Sequence, residues 1–302
     1  MIRIPAIDRS TLLLIAAFAA VYLIWGSTYL AIRIAIDSMP PLVMVGSRFV
    51  VAGVLVLAWL WIRGSRLPEA KRILHGAFVG ILTVGLGTGA VAWAEQYIPS
   101  GLAALLVTTV PIWMVLLEWK WKRGARPTGR VAAGLVFGLA GVAVLVDPRG
   151  LMQSFDGSGL AIVAVLLGSV SWSIGSLYGR GAVLPRDPFM NTGIQMTSGG
   201  LFLGVLGFLR GELRGLDASS FSSEAWIAWV YLIVFGSIIA FGAYVWLLDR
   251  ATAGQVSTYA FVNPVVAVFL GWLVVGEPIT WRVGVSIAML VGAVLLITRA
   301  GK

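Results

Sequence analysis

Two clusters of side chains in this sequence could do chemistry, and that chemistry is recognition rather than bond-making. The first is Trp25 with Ser27, Thr28 and Tyr29; the second is Ser169, Ser171, Trp172, Ser173 and Ser176. In each, a large aromatic ring stands within about a helical turn of hydroxyl groups, inside an otherwise apolar run. Ring faces supply dispersion and cation–π attraction while hydroxyls orient a polar end, a combination suited to an amphipathic amine or amino acid. Catalysis has little to work with. The chain has no cysteine and a single histidine, His75, set among basic residues, whereas acid–base or metal chemistry gathers several such groups. The carboxylates, Glu95, Glu118 and Asp249 among them, fall at or near the ends of apolar runs, and the only Gly-Lys dipeptide is the last two residues, so there is no P-loop. No catalytic residue, metal or cofactor is expected.

Several other polar residues stand where their neighbours make them costly. Arg48 lies about two turns into the run 42–62, and a central arginine costs about 2.5–3.5 kcal/mol on insertion scales. Glu95, at the end of the run 73–94, is its expected partner in a structural ion pair; snorkelling to the interface would also relieve Arg48. Asn263 is expected to line a cavity and Gln195 to make an interhelical hydrogen bond. Trp93 and Trp246, near run ends, read as interfacial anchors. Gly134-x-x-x-Gly138 and Gly200-x-x-x-Gly204 let helices approach closely.

The elements that position these residues are set by composition. Hydrophobic residues make up 59% of the 302 and charged residues 12%, against roughly 45–50% and about 25% in soluble domains. A bilayer accommodates that excess. Ten runs are apolar enough to span it, at 12–32, 42–62, 73–94, 101–119, 131–147, 159–178, 190–209, 226–247, 255–275 and 282–298. Between them fall helix-ending signals: Met39-Pro40-Pro41, Ile98-Pro99-Ser100-Gly101, Arg126-Pro127, Asp147-Pro148, Leu184-Pro185 and Glu277-Pro278. The first run follows Arg3 and Arg9 but is longer than the ~7–15 residues of a signal-peptide core, and is read as retained. The formal charge of +9 comes from short connectors rather than one basic face, which argues against nucleic acid. Of the 22 Lys and Arg, 16 fall on the side of the N-terminus, five on the other, and Arg48 within a span. Both termini are therefore expected in the cytoplasm.

The runs are written twice. Gly89, Trp93, Gly101 and Pro111 recur at an offset of 153 as Gly242, Trp246, Gly254 and Pro264; more loosely, Trp25 and Arg33 are echoed by Trp172 and Arg180. Five spans per copy is an odd number, so the second copy, 151–302, enters the membrane opposite to the first, 1–150. Inverted repeats of this kind build secondary transporters with the substrate site near the midplane. Pro111 and Pro264 both fall roughly 15 Å deep, where each would bend its helix and free carbonyls, shaping a cavity. The expected fold is an all-α integral membrane protein of ten transmembrane helices, in two inverted five-helix repeats around a central cavity.

The sequence resembles the EamA family of the drug/metabolite transporter superfamily, and its YedA-like group, over nearly the whole chain. The resemblance is carried by Tyr22-Leu-Ile-Trp-Gly-Ser-Thr-Tyr29, Pro41 to Arg48-Phe49, Pro99-Ser-Gly101 leading to Pro111, Gly168-Ser-Val-Ser-Trp172, Tyr259-Ala-Phe-Val-Asn-Pro-Val265 and Gly276-Glu-Pro278. The family's Gly-Glu pair stands at Gly276-Glu277, but the first half reads Lys122-Arg-Gly-Ala-Arg-Pro127, so Glu277 is read as a helix-end residue. The resemblance implies export of amino acids, related metabolites or drugs across a bacterial inner membrane, through a cavity between the halves. Its expected lining is Trp25, Ser27, Thr28, Tyr29, Pro111, Ser169, Trp172, Ser173, Tyr259, Asn263 and Pro264, on spans one, three, four, six, eight and nine. The expected partners are a small-molecule substrate and membrane lipids, with a homo-oligomer left open. A lipid or lipid-linked carrier flippase, which would want a lateral opening or a deep basic pocket, and a non-transporting scaffold, which would not need the inverted repeat, are the alternative readings.

Overall fold

A computed structural model describes residues 9–98, 100–121, 126–146, 159–270, 273 and 281–299; all regular structure among them is helical. Glu277-Pro278, Asp147-Pro148, Pro99, and the boundary between the halves at 150 lie outside the described residues. The helices follow the apolar runs. They are α1 (Arg9–Ile36), α2 (Pro41–Ile62), α3 (Ala70–Ala94), α4 (Ser100–Val107), α5 (Val110–Lys120), α6 (Gly129–Val146), α7 (Gly159–Gly181), α8 (Pro188–Leu209), α9 (Ser223–Leu248), α10 (Ala253–Ser257), α11 (Tyr259–Leu270) and α12 (Trp281–Arg299). Six of them, α1, α2, α3, α7, α8 and α9, are long and apolar enough to cross a membrane.

Local chemistry sets the ends. Pro41 and Pro188 open α2 and α8, where the missing N–H costs nothing. Asp187 Oδ1 accepts from the backbone N–H of Phe189 and Met190, and Thr252 with Gln255 closes a capping box on α10. The N-terminus of α2 is capped from elsewhere in the chain, since Glu212 Oε2 accepts from Leu42 N and Val43 N, both at 3.0 Å.

Four of the expected straight spans are shaped otherwise. The fourth and ninth are each broken in two. Pro111 stands in the first turn of α5, and the clash of its ring with the carbonyl of Val107 explains why α4 stops at that residue. Pro264 remains inside α11, with the break at Thr258 instead, where Thr258 Oγ1 donates to Gln255 O at 2.6 Å. The third span, α3, widens into an i→i+5 pattern over Ile81–Thr88, and α9 does the same over Leu232–Phe241. Each wide stretch stops directly before a member of the matched pair Gly89 and Gly242.

The packing is reciprocal. Helix α2 runs along α8 and α6 along α12; α1 packs on α9 and α11, while α7 packs on α3 and α5. Glycine permits the tightest of these approaches. A Cβ on Gly200 would lie 2.7 Å from both Gly46 O and Val50 N, whereas one on Gly204 would meet nothing within 4 Å. Gly134 and Gly138 similarly face α12 and the Phe261 ring. Polarity is inverted relative to a soluble protein: Leu23, Leu55, Leu167, Leu201 and Ile227 are exposed, while Arg48, Glu95, Ser173, Ser176 and Asn191 are buried. That pattern suits apolar solvent outside and obliges polar groups to find partners within.

Candidate functional site

The wide stretches supply the first partners. An i→i+5 turn disturbs the i→i+4 ladder and turns carbonyls outward. Trp25 Nε1 on α1 donates to Gly236 O in the wide part of α9 at 3.1 Å, and Ser171 Oγ on α7 donates to Leu82 O in the wide part of α3 at 2.8 Å. The first helix of each half is thus tied to the third helix of the other half.

Those ties bring Trp25 and Trp172 together, edge to face with centroids 5.6 Å apart. Tyr244 packs on both, at 5.1 and 5.3 Å, and Tyr259 stands edge-on to Trp25 at 4.9 Å. The Tyr244 hydroxyl accepts from Trp172 Nε1 at 2.8 Å and pairs with Ser176 Oγ at 2.7 Å. Such pairings lock ring orientation as well as adding area burial.

Beside this cluster lies a cavity in which about 90 Å³ admits the centres of water-sized bodies. That is several times the roughly 10–15 Å³ a cavity needs to hold one water, so it takes more than a single solvent molecule. Its wall combines Trp25, Thr28, Tyr29, Trp172, Phe241 and Tyr259 with Ser169, Thr88, Asn263 and Arg48, so apolar rings alternate with a few polar groups.

The EamA-like transporter family matches residues 11–147 and again residues 159–299. The chain belongs to that family. YedA, an inner membrane transporter of Escherichia coli strain K12, is 38% identical over 96% of this chain and 92% of its own. The transporter YvbV of Bacillus subtilis strain 168 is 28% identical over 97% of this chain and 93% of its own. A solved crystal structure superposes with a TM-score of 0.76 at 20% identity, covering 97% of this chain and 98% of that one, which shows a shared fold. This EamA-like chain is accordingly a membrane transporter.

Of the residues named from the sequence, Trp25, Thr28, Tyr29, Ser169, Trp172, Tyr259 and Asn263 stand in the wall of this cavity. With its amide oriented to donate, Asn263 bonds Tyr259 O at 2.9 Å and Tyr22 O at 3.2 Å, joining α11 to α1. The other four expected residues lie off the wall. Ser27 Oγ donates to Ile24 O and pairs with the Tyr231 hydroxyl at 2.5 Å, on the α9 side. Ser173 is fully buried and donates to Ser169 O at 2.8 Å. Pro111 and Pro264 are the next residues in sequence after the wall residues Val110 and Asn263.

The expected Arg48–Glu95 ion pair is not closed. Both residues are buried, yet Arg48 Nε and Nη1 and both Glu95 carboxylate oxygens have no hydrogen-bond partner. The Arg48 guanidinium stands over the Phe49 ring, 4.4 Å from its centroid, and it lines the cavity. Span two therefore joins the expected lining spans. Glu95 is approached by Arg33, whose Nη1 donates to the Glu95 backbone carbonyl at 3.0 Å. Gln195 bonds Asn191 within α8 at 2.9 Å rather than reaching another helix. Trp93 and Trp246 stay off the cavity wall, each with an arginine over its ring: Arg210 at 5.2 Å and Arg250 at 4.2 Å. Tyr244 was missed by sequence reasoning, although a phenol set in the apolar stretch Gly242–Leu248 is a signal of buried hydrogen bonding.

Proposed function

We propose that this protein is a secondary exporter of small amphipathic metabolites, such as amino acids or compounds resembling them, working by alternating access around the cavity beside Trp25. The observation that carries the reading is the cavity itself: aromatic faces, hydroxyls and an amide converge on a space that takes more than a single solvent molecule. In this reading the chain crosses the inner membrane of a bacterium ten times, as two inverted five-helix repeats with both termini cytoplasmic. Reciprocal packing supports the symmetry: like helices pair with like in α2–α8 and α6–α12, and cross-half ties recur as Trp25 to Gly236 and Ser171 to Leu82. The excess of Lys and Arg on one side supports the orientation. Two bistable halves around a fixed site are what rocking-bundle exchange requires.

Efflux of radiolabelled amino acids from proteoliposomes, with and without a pH gradient, tests it. Trp25→Ala is expected to abolish efflux, because it removes both a cavity wall and the tie to Gly236, while Trp61→Ala, 77% exposed on the outer surface, leaves efflux intact. Equal efflux by wild type and Trp25→Ala would remove the cavity from the transport path.

A further inference from the structure

Among the described residues that line the cavity, Arg48 alone carries a charge. It is 3% exposed, and the N–H groups on Nε and Nη1 meet no protein acceptor. Phe49 covers the flat face of the guanidinium but accepts nothing from its edge. Leaving buried N–H groups of a cation unpartnered is costly, and the cost is recovered when an anion meets them. Glu95 does not fill that role, since neither of its carboxylate oxygens makes a hydrogen bond. Arg33 also contacts the Glu95 backbone, so two guanidinium groups stand against one carboxyl group, and a positive charge is left over even with Glu95 ionised.

We propose that Arg48 is the carboxylate anchor of the cavity, and that the transported compound is a small carboxylic acid, zwitterionic or monoanionic, rather than an organic cation. This deepens the transport reading above and rests on it. A planar guanidinium matches a carboxylate in shape and charge, making paired N–H···O bonds that strengthen in a water-poor site. An organic cation in the same place meets unscreened like charge. The rings of Trp25 and Tyr259 and the hydroxyls of Thr28 and Ser169 are left for the remainder of the molecule, including an ammonium group where there is one.

The full-length protein in proteoliposomes tests this by counterflow of L-phenylalanine, L-leucine and L-threonine, with their methyl esters as competitors and tetraphenylphosphonium as a cationic probe. The expected result is exchange of at least one acid, competition by its ester at least about ten-fold weaker, a half-saturation raised about ten-fold or more by Arg48→Gln, and partial recovery in Arg48→Lys. Equal competition by acid and ester overturns the proposal, as does an unchanged half-saturation in folded Arg48→Gln. Exchange of tetraphenylphosphonium with none of the acids overturns it while leaving the transport reading standing. Should Arg48→Gln not fold, the acid–ester comparison on wild type decides. Thermal stabilisation separates the two readings where nothing is exchanged: stabilisation by acids but not esters keeps Arg48 as a carboxylate-binding group while overturning transport of these acids, and stabilisation by neither overturns the anchor as well.

Discussion

Replacing Gly200 by alanine puts a methyl group into the tightest part of the α2–α8 seam. Its carbon would lie 2.7 Å from Gly46 O and from Val50 N, and 2.9 Å from Val50 Cγ2. The first two are backbone atoms of a helix, so no rotamer change relieves them, and α2 must move outward by about 0.7 Å to reach ordinary contact near 3.4 Å. Overpacking of this kind costs about 1–3 kcal/mol. Gly204→Ala, one turn along the same helix, places its methyl in open space. Both substitutions carry the same helix-propensity benefit of about 1 kcal/mol, so their difference isolates the clash. Denaturation of the two variants in detergent is expected to show Gly200→Ala less stable than Gly204→Ala by that 1–3 kcal/mol. Transport should fall as well, because the displaced turn carries Val50 beside Phe49 and Arg48. Equal stability of the two variants would refute the argument that this seam is closed backbone to backbone.

Tyr244→Phe removes the acceptor of the Trp172 indole and leaves that N–H buried; a loss of about 1–3 kcal/mol is expected, read by denaturant unfolding, with a changed tryptophan emission spectrum. Glu212→Ala strips the cap from α2 and is expected to cost about 1–2 kcal/mol, with faster amide exchange at Leu42 and Val43. Glu212→Gln, which keeps an acceptor and loses only the charge at the helix N-terminus, should cost less than about 1 kcal/mol.

Helix positions were legible because apolar runs are punctuated by residues with fixed backbone consequences: Pro40-Pro41 starts α2, and Leu184-Pro185 falls in the connector between α7 and α8. The interior of the third span in each half was not, since hydropathy is the same whether a turn holds the usual number of residues or one more. Proline position was legible and its outcome was not. Pro111 stops α4 and opens α5, while Pro264 rides inside α11, because neighbours decide whether a break or a bend is cheaper. Cavity residues were legible by type and only partly by face. Ser27 and Thr28 are one 100° step apart, and that step sends Ser27 to Tyr231 and Thr28 to the cavity. Arg48 was read for the cost of its charge and paired with Glu95; its place in the wall depends on how α2 is seated against the other helices, a long-range fact that no local pattern carries.

The wide stretches of α3 and α9 also act as sockets. A carbonyl released from the i→i+4 ladder is an acceptor that another helix can claim, and Trp25 claims Gly236 O while Ser171 claims Leu82 O. Straightening either stretch would withdraw that acceptor and leave an indole N–H or a hydroxyl without it inside an apolar wall. The widened turns are thus the mortises into which the first helix of the opposite half is keyed.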